Sequence, residues 1–420
     1  MKFALVSNVL PPSESAHAAI IYRLLRNFDP ETYCLLSSAD YTNDGGPNYT
    51  GRLPGKYYHL PPSYKFTRGY RFGLQALREK LNLAIGVVLR GRTISRILKS
   101  ETCDSVIVCT GGREILDFPA AYLASRLTGA RFYAYLLDQY SHMVSYVLGN
   151  SFLRHFESRI LKGAAAVIVP NEFLRDELRQ RFGIEAVVIH NMCDLALYEL
   201  APGNETNKTQ HKSDETQIVY TGGIGPLHYE AFRNLVTGIE LLERKDVKLH
   251  VYTPQPRDSM QKEGIAGPHV IYHEHLPVST MPEIHQRADI LFLALAINSP
   301  HPEIVRTAMP GKMGEYLASG RPILVHAPRD SFIASYFRRF ECGLVVDEND
   351  PAQLTRAIDS LLNDATLRER LGTRARERAT TDFDQVKEQA RFTELLNQGR
   401  SKRDSALHSL GSNRNSLPHE

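Results

Sequence analysis

Charge of one sign is missing from this 420-residue chain: 50 basic and 47 acidic residues leave a formal net charge of +3. Bulk charge therefore gives no reason to expect a nucleic-acid partner. Cysteine is sparse and unordered. The five residues Cys34, Cys103, Cys109, Cys193 and Cys342 include no C-x-x-C pair, which removes a zinc ribbon and fits free thiols in a reducing cytosol. Long apolar runs are absent. The longest, near residues 81–89 and 290–297, fall well short of the ~18 residues that cross a bilayer. Met1 leads almost at once into an apolar strand pattern, with no signal peptide, so the expected location is cytoplasmic, or peripheral on the cytoplasmic face of a membrane. The Asn-x-Thr triplets at Asn48, Asn204 and Asn207 then carry no glycan. No G-x-x-x-x-G-K-[ST], G-x-S-x-G, H-E-x-x-H or EF-hand pattern occurs, which removes support for a P-loop ATPase, a serine hydrolase and a zinc protease. No Asp-x-Asp follows a strand either, which argues against a diphosphate held through a metal.

What the chain has is a repeated strand–helix alternation. A hydrophobic content of 42% supports real cores, and the length suits two domains of ~200 residues. Short apolar runs at 3–6, 34–36, 105–109, 131–137, 166–169 and 187–189 alternate with helical patterns, and residues 40–63 read as an irregular insertion. The polar stretch 199–215 is the predicted linker. The alternation restarts with strands at 217–221, 248–252, 270–272, 290–295, 323–325 and 343–346. This spacing predicts an α/β protein of two doubly wound parallel sheets. The predicted domains are 1–198, 216–380, a terminal helix over 381–397 and a disordered tail over 398–420.

Two stretches carry candidate chemistry. Gly222-Gly223-Ile224-Gly225 after a strand invites a dinucleotide reading, but His228 stands where a third glycine belongs. The next strand ends at Tyr252-Thr253, where an acidic residue would bind ribose. The loop then serves either close approach to a ligand phosphate or a tight turn. The second stretch, Met309 to Pro322, reads as a loop, a short helix beginning at Pro310, a stop at Gly320 and a buried strand. Lys312 and Glu315 would share one helix face, a cation for phosphate and a carboxylate for sugar hydroxyls. A plain surface ion pair has the same spacing.

The string PGKMGEYLASGRPIL resembles the donor-site helix of glycosyltransferase family 4, and further resemblance runs through RILKGAAAVIVPNEFLRDELRQRFGIEAVVIHNMCDLALYE, IVYTGGIG and MPEIHQRADILFLAL. The resemblance implies a GT-B fold, two facing Rossmann-like domains with a last helix crossing back to the first. It also implies a retaining, metal-independent transferase that needs no cofactor. Such an enzyme moves a sugar from a nucleoside-diphosphate sugar to a glycan or lipid-linked acceptor, in cell-surface polysaccharide synthesis. An epimerase of the same fold and a catalytically inactive nucleotide-sugar-binding scaffold are the alternatives. By resemblance Glu315 binds ribose, and Gly222, Gly223, Arg306, Thr307, Pro310, Gly311 and Lys312 line the donor site. This chain departs from the family in three places. Thr307 stands eight residues before Glu315, where the family has a glutamate for the hexose. Gly223 replaces an arginine for the diphosphate, with no lysine until Lys245, so that role falls to Lys312 with Arg306 assisting. The usual histidine after the fourth strand is replaced by Leu136-Leu137-Asp138, leaving Asp138 and His17 as acceptor-side catalytic candidates. A histidine at a helix start is also commonly a solvated or capping residue.

One segment is locally basic. Residues 65–99 hold nine Lys and Arg against Glu79, a balance of +8 that leaves −5 for the rest, and they enclose the apolar run 81–89. That mixture predicts either an anionic membrane surface as partner or a solvated basic helix covering the core.

Overall fold

The computed structural model describes residues 1–13, 15–42, 51–61, 75–111, 115–140, 150–199, 215–274 and 276–412. The chain forms two compact units, Met1–Ile189 with Val386 onward, and His190–Gln385.

The first unit is built on a parallel sheet of order β3-β2-β1-β4-β5-β6-β7. Its strands are β1 (Phe3–Val6), β2 (Tyr33–Ser37), β3 (Lys56–His59), β4 (Ser105–Thr110), β5 (Arg131–Leu136), β6 (Ala166–Val169) and β7 (Val187–Val188). The four residues of β1 are all buried, because a central parallel strand is covered on both faces. β3 corrects the reading of residues 40–63 as irregular. It is an edge strand of sequence Lys-Tyr-Tyr-His with little apolar patterning, recruited by parallel pairing of Leu35 with Tyr57. Side-chain capping sets the helices. Ser15 accepts the Ala18 N–H at the start of Ala16–Leu25, and Asn171 accepts the Leu174 N–H before Glu172–Phe182, which ends on Gly183 in the left-handed region.

The basic segment becomes one helix, Gln75–Ser100; Lys65, Arg68 and Arg71 lie outside the described residues. Its inner face carries Ile94, Ile97 and Leu98 into the core and buries Arg90, which donates to Asp117 at 2.7 Å. The opposite face leaves Leu81 at 57% exposure and Val88 and Leu89 at 40%, with Arg92, Arg96 and Lys99 exposed further along.

The second unit has a parallel sheet of order β10-β9-β8-β11-β12-β13. Its strands are β8 (Thr216–Thr221), β9 (Val247–Tyr252), β10 (Val270–His273), β11 (Ile290–Ala294), β12 (Ile323–His326) and β13 (Leu344–Val346). The unit begins at His190, ahead of the predicted linker, because that segment bonds to its own sheet's surroundings. Asn191 donates to the Met309 carbonyl at 3.1 Å, and Gln286 donates to the Tyr198 carbonyl at 2.7 Å. Of the linker, residues 200–214 lie outside the described residues.

The last helix runs Gln385–Ser412, past the predicted end at 397. Its early turns belong to the first unit. Gln389 donates to the Arg23 carbonyl at 2.7 Å, and Phe392 packs edge-on against Phe3 and Phe28. The Ser-, Asn- and Arg-rich stretch that reads as a tail contains no proline before Pro418, and the helix runs through Gly399. Residues 413–420 lie outside the described residues.

Candidate active site

In each unit the strand order reverses beside the first strand, between β1 and β4 and between β8 and β11. In open α/β sheets the crevice beyond the carboxyl ends of such strands is where ligands bind. His17 lies there in the first unit, and Gly222, Gly223 and Lys312 lie there in the second.

In the second unit β8 runs into Gly222, whose backbone has φ of +110°, a region that favours glycine. A Cβ at Gly222 would stand 3.2 Å from Lys312 Cε and 3.3 Å from its Nζ, so the missing side chain is what admits the lysine. Lys312 Nζ donates to the Tyr220 hydroxyl at 2.7 Å and lies 3.9 Å from the centre of that ring. The same hydroxyl donates to the Gly223 carbonyl at 2.7 Å, and Gln255 Oε1 accepts the Ile224 N–H at 2.9 Å. Burial pushes the Lys312 ammonium down to about 7, against the opposing pull of the Glu315 carboxylate. His228 closes the loop. Its ring Nδ1 lies 3.3 Å from the Gly225 N–H, and its own N–H donates to the Gly225 carbonyl at 2.8 Å.

The helix holding Glu315 runs Met313–Ser319 and begins later than predicted. Pro310 and Gly311 form a turn instead, with the Pro310 carbonyl accepting the Met313 N–H at 3.0 Å. Lys312 therefore occupies the N-cap position, with helical backbone angles, and Glu315 sits half-buried in the first turn. Tyr316 fixes this helix to the strand, its hydroxyl accepting the Thr221 N–H at 2.9 Å. Thr221 Oγ1 is in turn hydrogen-bonded to His285 Nε2 at 2.9 Å. On its other side the helix is approached so closely that a Cβ at Gly372 would fall 2.1 Å from the Gly320 carbonyl oxygen.

Thr307 is buried at the end of the helix Pro302–Thr307, its hydroxyl 3.4 Å from the Glu303 carbonyl, and Arg306 is half-buried on the same helix. The structure thus brings Lys312, Gly222 and Gly223 together, and adds Tyr220, Gln255 and His228, which sequence reasoning missed. For His228 a signal existed: it occupied the place of the third glycine. Tyr220 and Gln255 gave none, because an aromatic residue in a strand and a glutamine after one are ordinary.

In the first unit His17 is buried, which corrects its reading as a solvated or capping residue; Ser15 is the cap. Its Nε2 lies 3.1 Å from the Ser7 hydroxyl and its Nδ1 3.4 Å from the Gly111 carbonyl, across the β1/β4 reversal. Burial lowers the imidazole to about 4. Asp138, just past β5, is half-buried, and burial raises its carboxyl to about 6. The Thr110 hydroxyl at the end of β4 is buried without a partner among the described residues.

Residues 215–364 match the family model described as glycosyl transferases group 1, a span that covers the whole sheet of the second unit. No curated protein sequence matches. Among solved structures, a glycosyltransferase from Rickettsia africae aligns with a TM-score of 0.66 at 13% identity, covering 95% of this chain and 98% of that one. HepE of Anabaena in complex with UDP-glucose aligns at 0.67 and 13%, over 95% and 100%. The UDP-forming α,α-trehalose-phosphate synthase of Burkholderia xenovorans in complex with glucose-6-phosphate aligns at 0.66 and 14%, over 94% and 100%. At such identities the likeness concerns the fold, which is GT-B.

Proposed function

We propose that the chain is a retaining, metal-independent glycosyltransferase that moves a sugar from a nucleoside-diphosphate sugar to a glycan or lipid-linked acceptor, in cell-surface polysaccharide synthesis. The observation that carries this reading is the Lys312 ammonium held against the Gly222 loop by the Tyr220 hydroxyl. Departure of a diphosphate from an oxocarbenium-like centre concentrates negative charge on the leaving oxygens. A fixed cation in a partly dry site stabilises that charge without reorganising. The Ile224 and Gly225 amides are taken by Gln255 and His228, which leaves the Gly223 amide as the loop's candidate donor, and Glu315 accepts ribose hydroxyls from the first helical turn. On the acceptor side, Asp138 and His17 are the candidate proton-handling groups. The carboxyl of Asp138, raised to about 6, is the better placed to take a hydroxyl proton near neutrality.

The exposed face of helix Gln75–Ser100 supports a lipid-linked acceptor. Leu81, Val88 and Leu89 recur at helical spacing beside Arg92, Arg96 and Lys99, an apolar and basic combination suited to an anionic bilayer surface. Binding to anionic vesicles that fails on neutral vesicles and at high salt is expected; equal or absent binding to both would remove the membrane.

UDP-glucose is the first donor to test, alongside GDP-, ADP- and CMP-sugars in a thermal-shift panel. A ligand at a hundredfold its Kd stabilises by ~2.7 kcal/mol. Transfer with retained anomeric configuration, unaffected by EDTA, is the expected chemistry. Loss of activity on chelation, or inversion in the product, would overturn it.

A further inference from the structure

The loop between β8 and helix Tyr229–Glu240 contains no lysine or arginine of its own, and Lys312 reaches it from another segment. Yet the loop holds a histidine in a specific state. The Gly225 N–H points at His228 Nδ1, which must therefore accept, so the ring proton resides on Nε2. The backbone bond from His228 N–H to the Gly225 carbonyl closes the same ring from the other side, locking the side chain to its loop. The imidazole stands edge to face with Tyr220, 6.4 Å between centres, and Tyr220 is the residue that holds Lys312. Space beside the loop is free. A Cβ at Gly225 would meet nothing within 4 Å, and one at Gly223 only the Gln255 side-chain amide at 3.7 Å or beyond.

We propose that His228, as a neutral imidazole with its proton held on Nε2 by Gly225, is a hydrogen-bond donor to the diphosphate of the sugar nucleotide, working beside Lys312. A neutral donor suits a crowded site. A second fixed cation next to Lys312 would repel it, whereas an N–H dipole adds a contact to the anion without that repulsion. Burial, helped by the Lys312 charge, lowers the imidazole to about 3, so the ring stays a neutral donor throughout the physiological range. This inference rests on the donor-site reading and assigns one of its binding groups.

Two substitutions separate the donor role from a structural one. In His228→Asn the amide oxygen falls near the position of Nδ1 and keeps the Gly225 contact, but nothing replaces Nε2–H. In His228→Gln the amide nitrogen reaches the Nε2 position. With calorimetry on the full chain, His228→Asn is expected to weaken UDP-glucose binding about tenfold and uridine binding not at all, with the melting temperature of the free protein nearly unchanged. His228→Gln should recover most of the lost affinity. In nitrogen-15 spectra of the free wild type, the His228 ring should show a protonated Nε2 and a bare Nδ1. If the wild type binds UDP-glucose and His228→Asn binds it equally well, or if both nucleotide and uridine binding fall together, the assignment is wrong while the donor site stands. If the wild type binds no sugar nucleotide at all, the donor-site reading and this inference both fall.

Discussion

A lysine whose ammonium is pushed down to about 7 makes binding of a diphosphate a proton-coupled event. A value of about 7 predicts that near neutrality roughly half of the Lys312 side chains of the free protein are uncharged. A bound diphosphate favours the ammonium form and restores the proton. The diphosphate of a nucleotide sugar is fully ionised near neutral pH, so the proton taken up goes to the protein. Uptake per UDP-glucose should be ~0.1 at about pH 6, ~0.5 at about pH 7 and ~0.9 at about pH 8, and affinity should fall towards tenfold per pH unit on the alkaline side. Calorimetry in two buffers of different ionisation enthalpy at each pH measures the uptake directly. Lys312→Met is the control, since it removes the titrating group and should abolish most of the uptake; Asp138, raised to about 6, lies in the other unit and is retained. Uptake near zero at about pH 8 in the wild type, or uptake unchanged in Lys312→Met, would refute the reasoning. The sign for the free protein is the opposite of an ordinary salt-bridged lysine. Because the folded value lies below the ordinary 10.5, the unfolded chain holds more protons between about 7 and 10.5, and this group's contribution to stability improves as pH rises through that window.

Glu315→Ala should lower kcat/KM for the donor at least about tenfold with the fold intact, the scale of one lost charge-assisted hydrogen-bond set; unchanged donor kinetics would end its ribose role. Tyr220→Phe removes the acceptor of Lys312 and the donor to the Gly223 carbonyl together, and should weaken diphosphate binding by ~1–3 kcal/mol while uridine binding holds. Gly222→Ala places a methyl 3.2 Å from Lys312 at a strained φ, so its melting temperature and donor affinity should both drop. Asp117→Ala removes the carboxylate that faces the Arg90 guanidinium, 2% exposed, and should destabilise the first unit by ~3 kcal/mol in chemical denaturation.

Hydrophobic runs and glycine punctuation made most of the architecture readable. The core strands of both sheets are short β-branched and leucine-rich segments, and their alternation with helical patterns is what a parallel α/β sheet buried on both faces produces. β3 escaped because an edge strand is half solvated and needs no apolar run; Lys-Tyr-Tyr-His is a strand only because β2 offers it a partner. The helix start at Met313 was misplaced because Pro310 suits a turn as well as a first helical position. Lys312 and Glu315 were identifiable as candidate residues, but the charge state and direction of Lys312 were not. Its charge state depends on how deeply the fold buries it, and its direction on a tyrosine 92 residues away.

By itself the chain's order of residues determined two parallel α/β units, a glycine-rich loop after the first strand of the second, and a Lys–Glu motif before its fifth. Those are local matters of period and backbone freedom. Only the tertiary structure decided that the loop and the motif meet, that Gly222 lacks a side chain because Lys312 fills its place, and that His228 carries its proton on Nε2. Contacts between distant segments are set by strand order and packing. A residue's protonation follows from the dielectric and partners that packing supplies, neither of which is encoded in any single stretch of sequence.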